Sequence, residues 1–359
     1  MLLQFLILPE AYNNSMKIKS VIKKYLIVFI TLCIAVGIAS SLALNNSAAQ
    51  QTVKQYGGNP RTIAHDFLYM EKIFGPPDEF ELYLNSLINK AVKAVPVKSF
   101  YTTDDAVVTL KAIDGLLKSE GFTFKSNFLL STGIKTKKID CDNYSALYTA
   151  IAEVLTIPLV PVYAPNHSFI RFYFDDGSYL NWEPTEGAPR QDSFYIKKLK
   201  IAETSIKQGV YLKSLNRKEY IGVQCNTIGA ALIMQKKYKE SVVFLTKSIQ
   251  LYPVFSSAYH NRGTAMYAMK MLKEALKDLQ KASELDPNRA NTHNTLGDIY
   301  FDLKEHGKAL QEYQKSIECD PGNYIPYHNI AVLMKGTGRE AESKEWQDKA
   351  KKIKGEGKK

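Results

Sequence analysis

Cysteine is scarce in this chain: four residues in 359. Cys33 falls in an apolar run, and Cys225 and Cys319 fall in separate predicted helices. No disulfide framework is expected, and Cys141 is left as the one cysteine with a chemical context. The six histidines include no His-x-x-x-His pair and no two cysteines have ligand spacing, so no metal and no cofactor is predicted. Basic residues do not alternate regularly with aromatic ones, which argues against a nucleic-acid partner. The formal charge of +11 gathers in the N-terminal lysines and in residues 349–359, where it reads as solvated ends. What the chain does have is apolar and aromatic content for real cores, and length for two or three domains.

Residues 1–56 read as an address. Lys17, Lys19, Lys23 and Lys24 precede residues 26–44, an uncharged run long enough to cross a bilayer, and Met16 is a better start for it than Met1. Ser41-Leu42-Ala43 and Ser47-Ala48-Ala49 suit a signal peptidase. Leu32 is too large for Cys33 to be a lipid-attachment site. The segment is a cleaved signal or a retained anchor, the length of the run favouring the anchor. Either way the positive-inside rule puts everything after Leu44 outside the cytoplasm. The expected location is membrane-anchored facing the periplasmic or extracellular side, or secreted to the periplasm.

Chemistry concentrates at Asp140-Cys141-Asp142-Asn143. Apolar residues from Ala146 to Leu155 repeat at three- and four-residue spacing, predicting a buried helix over 141–155. Asp140 is its N-cap and Cys141 lies in its first turn. Unpaired N–H groups and the positive end of the helix dipole there favour a thiolate. Residues 158–163 read as a strand ended by Pro165, and 168–174 as the next strand. A turn at Asp175-Asp176-Gly177 leads into a third strand over 179–182. A three-residue loop with Gly177 left-handed sets Glu183 opposite Phe169, on the same face as His167; a two-residue loop would reverse it. Cys141 is then a candidate nucleophile, His167 its base and Glu183 the group orienting the ring. The Cys141 N–H is one oxyanion donor. Asn143, Arg171 and Trp182 are candidates for substrate orientation or fold support, and Asp142 for a helix-dipole partner. Helical periodicity also covers 62–74, 78–95 and 104–119. Residues 128–138 read as a loop that could line a cleft, and 192–200 as a short closing helix.

Asp140-Cys141-Asp142-Asn143, then Pro165-Asn166-His167-Ser168-Phe169-Ile170-Arg171, then Asn181-Trp182-Glu183-Pro184-Thr185 together resemble the transglutaminase-like branch of the papain-like fold over about residues 62–200. The resemblance implies an α+β domain, residues 57–215. In it a cysteine heads a helix packed on a sheet, a histidine starts one strand and an acid ends the next. Cys141 and His167 match directly, and Glu183 stands where the family more often has Asp. The implied activity is that of a cysteine peptidase or a transglutaminase-like acyltransferase. Some members of the superfamily bind without catalysing.

Residues 220–355 repeat. Gly229, Gly263 and Gly297 recur at one step, as do Pro253, Pro287 and Pro321. The pattern resembles the tetratricopeptide repeat: an all-α solenoid of three full units, 222–253, 256–287 and 290–321, with a capping unit over 324–350. The glycines let paired helices approach, and the prolines end each second helix. Asn261, Asn294 and Asn329 fall at related positions and either bind a peptide backbone or form a solvated polar face; His260 and His293 read as structural. Two functions follow. One is an exported or membrane-anchored thiol acyl-transfer enzyme acting on a peptide or protein amide, with the repeats binding protein and residues 26–44 the membrane if uncleaved. The other is a catalytically idle papain-like binding domain that acts with the repeats as an adaptor.

Overall fold

The computed structural model describes residues 61–125 and 129–356. The expected signal or anchor segment, with residues 26–44 and Cys33, lies outside the described residues. Among the described residues no helix is long and apolar enough to cross a membrane.

The first half is helices around a small antiparallel sheet. Helices α1 (Ile63–Met70), α2 (Asp78–Ala94) and α3 (Thr103–Ser119) come first, with a 3-10 turn Glu71–Phe74 after α1. Short strands β1 (Thr123–Phe124) and β2 (Lys138–Ile139) pair in parallel and bracket α4 (Leu130–Thr136). Then come α5 (Cys141–Leu155) and the meander β3 (Leu159–Ala164), β4 (His167–Tyr173), β5 (Tyr179–Glu183) and β6 (Ala188–Pro189). Helix α5 packs on β3 and β4, burying Leu147, Tyr148 and Ile151 with Phe169, Phe172 and Trp182. Helices α6 (Asp192–Lys198) and α7 (Glu203–Lys207) follow. The chain then lies along the outer edge of β3, where the Leu212 and Leu215 N–H groups donate to the Tyr163 and Pro161 carbonyls at 2.9 and 2.8 Å. That contact covers an edge that would otherwise offer unpaired backbone groups.

One expectation fails here. The segment expected as a loop over 128–138 holds helix α4 (Leu130–Thr136) among its described residues, because α4 takes its cap from outside its own segment. Buried Glu71 accepts the N–H groups of Leu130 and Ser131, each at 2.8 Å.

The second half is four antiparallel helix pairs. They are α8 (Arg217–Met234) with α9 (Tyr238–Leu251), α10 (Ser256–Ala268) with α11 (Leu272–Leu285), α12 (Ala290–Asp302) with α13 (His306–Cys319), and α14 (Tyr324–Gly336) with α15 (Glu340–Glu356). The repeated glycines mark the closest helix approaches. A Cβ on Gly229, Gly263 or Gly297 would stand 2.6 Å from Leu245, 2.8 Å from Leu279 or 2.5 Å from Tyr313. Only a hydrogen fits there.

The halves share a core. One apolar cluster runs from Ile63 to Leu285. The Tyr220 ring of α8 meets Phe67 at 5.1 Å, and Phe255 meets Tyr163 edge-on at 4.8 Å. Gln224 donates to Glu71 at 2.7 Å, and Arg217 pairs with Glu153 and Asp66 at 2.6 and 2.7 Å. The first repeat is thereby built into the sheet domain.

Candidate active site

Three elements deliver the candidate residues. Asp140 is extended and its Oδ1 accepts the Asn143 N–H at 3.0 Å, which starts α5 at Cys141. On the facing hairpin, Ala164 pairs with His167 across a two-residue turn, Pro165-Asn166. Proline presets the first turn position, and Asn166 takes the left-handed second one (φ 53°). His167 therefore opens β4, and the backbone N–H of the next residue, Ser168, donates to the Cys141 sulfur.

The second hairpin has the expected register. Phe174 N–H donates to Ser178 O at 2.9 Å, closing a three-residue loop with Gly177 at φ 82°. Ile170 pairs with Trp182, so the next rung sets Phe169 against Glu183. His167 Nε2 lies 2.6 Å from Glu183 Oε2. Glu183 is 2 % exposed. Its Oε1 accepts the Thr185 hydroxyl at 2.6 Å and N–H at 3.2 Å, and Tyr195 OH donates to Oε2 at 3.3 Å. Burial alone would raise this carboxyl. The hydrogen bond and charge of His167, with Thr185, outweigh burial and hold it below the usual range.

The thiol itself departs from expectation. Cys141 is half-buried, and its thiol is pushed well up, first by desolvation, then by Asp142 and Asp140, and further by Glu183; the Ser168 N–H opposes the shift. Asp140 is itself pushed up to about 8 by burial and by Asp142. Asp142 is raised by burial, against hydrogen bonding from Ser168 and the charge of His167. Ser168 Oγ donates to Asp142 Oδ1, and Tyr220 OH donates to the Asp142 carbonyl at 3.0 Å. The resting site holds a neutral thiol between two carboxyl groups.

The supporting candidates are packed into the fold. Arg171 is buried and donates to Asn181 Oδ1 at 2.8 Å, Asp192 Oδ1 at 2.9 Å and Leu212 O at 3.2 Å. Trp182 is fully buried and donates to Tyr148 OH at 3.3 Å. Asn143 is buried in the first turn of α5, its N–H held by the Asp140 cap. Among the repeats, Asn261 donates to Asn226 at 2.8 Å, and Asn329 to Asn294 at 3.1 Å and Asp298 at 3.0 Å. These amides form a ladder along the first helices. His260 accepts from or donates to Thr292 at 3.1 Å, while His293 bridges Glu312 and the Pro287 carbonyl at 2.7 and 2.9 Å. Among the described residues no group of three or more His, Cys, Asp or Glu side chains converges as a metal site.

Sequence reasoning missed Tyr163, Tyr195, Tyr220 and Arg289 as neighbours of the site. Tyr195 had a weak signal in the short helix after β6. Tyr220 and Arg289 come from repeats, whose pattern says nothing of what they dock against.

Residues 254–321 match the tetratricopeptide repeat family. No curated protein sequence matches the chain. Similar solved structures include a crystal structure of MamA, 24% identical, covering 38% of this chain and 80% of that one, with a TM-score of 0.36. YrrB, titled a tetratricopeptide protein with an unusual peptide-binding site, is 23% identical, with 37% and 68% coverage and a TM-score of 0.34. The first tetratricopeptide domain of Spaghetti, bound to an HSP90 peptide, is 20% identical, with 33% and 95% coverage and a TM-score of 0.33.

Proposed function

We propose that the chain is a thiol acyl-transfer enzyme with a transglutaminase-like, papain-like domain that acts on an amide of a peptide or protein. Its repeats bind protein. In this reading it works outside the cytoplasm, secreted or held by residues 26–44. The observation that carries the proposal is the 2.6 Å pairing of His167 Nε2 with a buried Glu183, itself held by Thr185 and Tyr195, on the hairpin whose Ser168 N–H meets the Cys141 sulfur.

With Nε2–H committed to Glu183, Nδ1 is the ring nitrogen left to accept the thiol proton. The Cys141 sulfur attacks the amide carbon, an S–C bond forms and the thiol proton passes to Nδ1. Collapse breaks the C–N bond, and the amine leaves with that proton. Water or a second amine then attacks the thioester and the thiol is restored. The Cys141 N–H is the oxyanion donor in this scheme. Because the thiol is raised, proton transfer accompanies attack; there is no standing thiolate–imidazolium pair.

The same raised thiol supports a second reading, a catalytically idle binding domain that acts with the repeats as an adaptor. Alkylation with an iodoacetamide probe, mapped by mass spectrometry in wild type, Cys141→Ser and His167→Ala, separates the two. The enzyme requires Cys141 to label faster than Cys225 and Cys319, and His167→Ala to slow it by about tenfold or more. Label confined to Cys225 or Cys319, or indifference to His167, leaves the adaptor.

A further inference from the structure

Two cavities run together where the His167 hairpin meets the second and third repeats. One, about 280 Å³, is lined by Pro165 and Asn166 at the hairpin tip, by Lys198 and Lys200, and by Asp286 and Arg289 before α12. The other is about 580 Å³ and is lined by His293, Lys315 and Glu318, among others. Lys200, Asn288 and Cys319 border both, so the two form one trough. Asn166 directly precedes His167, so one end of the trough opens beside the candidate site.

Arg289 stands at that end with its charge poorly met. Nη1 donates to Ser257 Oγ at 3.0 Å and Nη2 to Asn166 Oδ1 at 3.3 Å, both neutral groups. Its Nε is buried with no hydrogen-bond acceptor. Its one salt-bridge partner among the described residues, Asp286, is 3.9 Å away and already accepts the Tyr211 hydroxyl at 2.6 Å. A buried guanidinium N–H without an acceptor is unfavourable, and the guanidinium fork matches a carboxylate in shape and charge. Exposed Lys198 and Lys200 add positive charge along the same wall. Across from them Asp320 holds the Gly322 N–H at 3.2 Å. The anchor also connects to the site, because Ser257 Oγ lies 3.3 Å from Tyr163 OH, and Tyr163 is near enough to Cys141 that a thiolate there would disfavour its ionisation.

We propose that this trough binds an extended peptide carrying a carboxylate, at its C-terminus or on an Asp or Glu side chain, a few residues from the amide presented to Cys141, with Arg289 as the anchor. This assignment rests on the thiol acyl-transfer reading for which amide is presented, but the binding it describes does not require catalysis. The occupant is recognised by its carboxylate and by backbone contacts with Asn166 and Asn288. The asparagine ladder plays no part.

The test uses the full chain with Cys141→Ser, immobilised and exposed to a pool of N-acetylated pentapeptides of mixed sequence, made as free acids and as carboxamides. Retained peptides are identified by mass spectrometry. Acid-bearing peptides should be enriched about tenfold or more over neutral carboxamides, a difference of about 1.4 kcal/mol. Arg289→Gln should abolish the enrichment. Lys198→Gln with Lys200→Gln, both at exposed side chains, should reduce it. Comparing free acids with Asp- or Glu-containing carboxamides tells which carboxylate is read. Equal retention of neutral peptides, no retention at all, or enrichment that survives Arg289→Gln overturns the proposal. So does complete displacement by millimolar inorganic phosphate, which would mark a plain anion site. Since the variant lacks the Cys141 thiol, failure of Cys141 labelling in the wild type and failure of this enrichment are separate results.

Discussion

Replacing Asp140 with Asn keeps the cap of α5 and removes a charge. The Asn carbonyl can accept the Asn143 N–H as Asp140 Oδ1 does at 3.0 Å, and Asn is as good an N-cap as Asp. What changes is the ionisation cost. Burial and Asp142 push Asp140 up to about 8 in the folded protein, against about 3.9 in an unfolded chain. Between those values the folded state binds more protons than the unfolded one, so stability falls as pH rises, by at most about 1.4 kcal/mol per unit. From pH 4 to pH 7 that bounds the loss at about 4 kcal/mol; relaxation of a side chain that is not fully buried should halve it, to about 2 kcal/mol. Asp140→Asn should therefore match wild type near pH 4 and exceed it by about 2 kcal/mol at pH 7. Urea unfolding followed by Trp182 fluorescence at several pH values measures this, because Trp182 lies in the core under the site. Loss of one acid beside the sulfur should also lower the thiol pKa and speed Cys141 alkylation at pH 7. A variant whose stability runs parallel to wild type across the whole range would refute the electrostatic account.

Other substitutions probe other links. Gly297→Ala would set a methyl 2.5 Å from the Tyr313 ring, so it should destabilise the repeats by about 1–3 kcal/mol. Thermal unfolding read by Trp346, which packs on the same cluster, would show it. Glu71→Gln puts an NH2 group where one of three donors now points and should cost about 2 kcal/mol; an unchanged urea midpoint would deny that Glu71 caps α4. Glu183→Gln should slow Cys141 labelling about tenfold. It should also flatten the acid limb of stability: the folded carboxyl is held below its usual range, so its contribution is complete above the unfolded value near 4.3 and is lost as pH falls through the lower folded value. Labelling at the wild-type rate would show that Glu183 does not orient His167.

Where spacing determines structure, the sequence was legible. Helix 141–155 followed from its apolar period and cap. The Glu183 register followed from counting a three-residue turn, since a one-residue change would have turned the side chain away from His167. The helix pairs followed from the recurrence of glycine and proline. The features that could not be read are those in which one segment completes another. Helix α4 is capped by Glu71, some 60 residues upstream, and no local pattern announces a cap supplied from that distance. Tyr220 and Gln224 sit in a repeat pattern that fixes their helix and leaves open that this helix docks on α1. Arg289 reads as an ordinary loop cation until the His167 hairpin is brought against it.

The thiol shows how a sound local rule can give the wrong sign. A helix N-terminus offers a cysteine roughly half a positive charge, and the expectation of a thiolate rested on that alone. Asp140 and Asp142 flank the same sulfur, and each ionised carboxylate brings a full negative charge. Even if the pair keeps one proton, as the raised Asp140 implies, the remaining charge outweighs the helix end, and desolvation acts in the same direction. The residue that caps the helix is thus also one that opposes the helix's effect on the thiol. In the acyl-transfer scheme a thiolate here needs a cation at the moment it forms, and His167 on the hairpin is the proposed source. His167 Nε2 is held by Glu183, which also adds to the charge opposing the thiolate; in the proposed scheme Glu183 stabilises the imidazolium produced when the thiol proton is taken. In that scheme the thiol stays protonated until an electrophilic carbon, an amide or an alkylating probe, is in place to accept the sulfur.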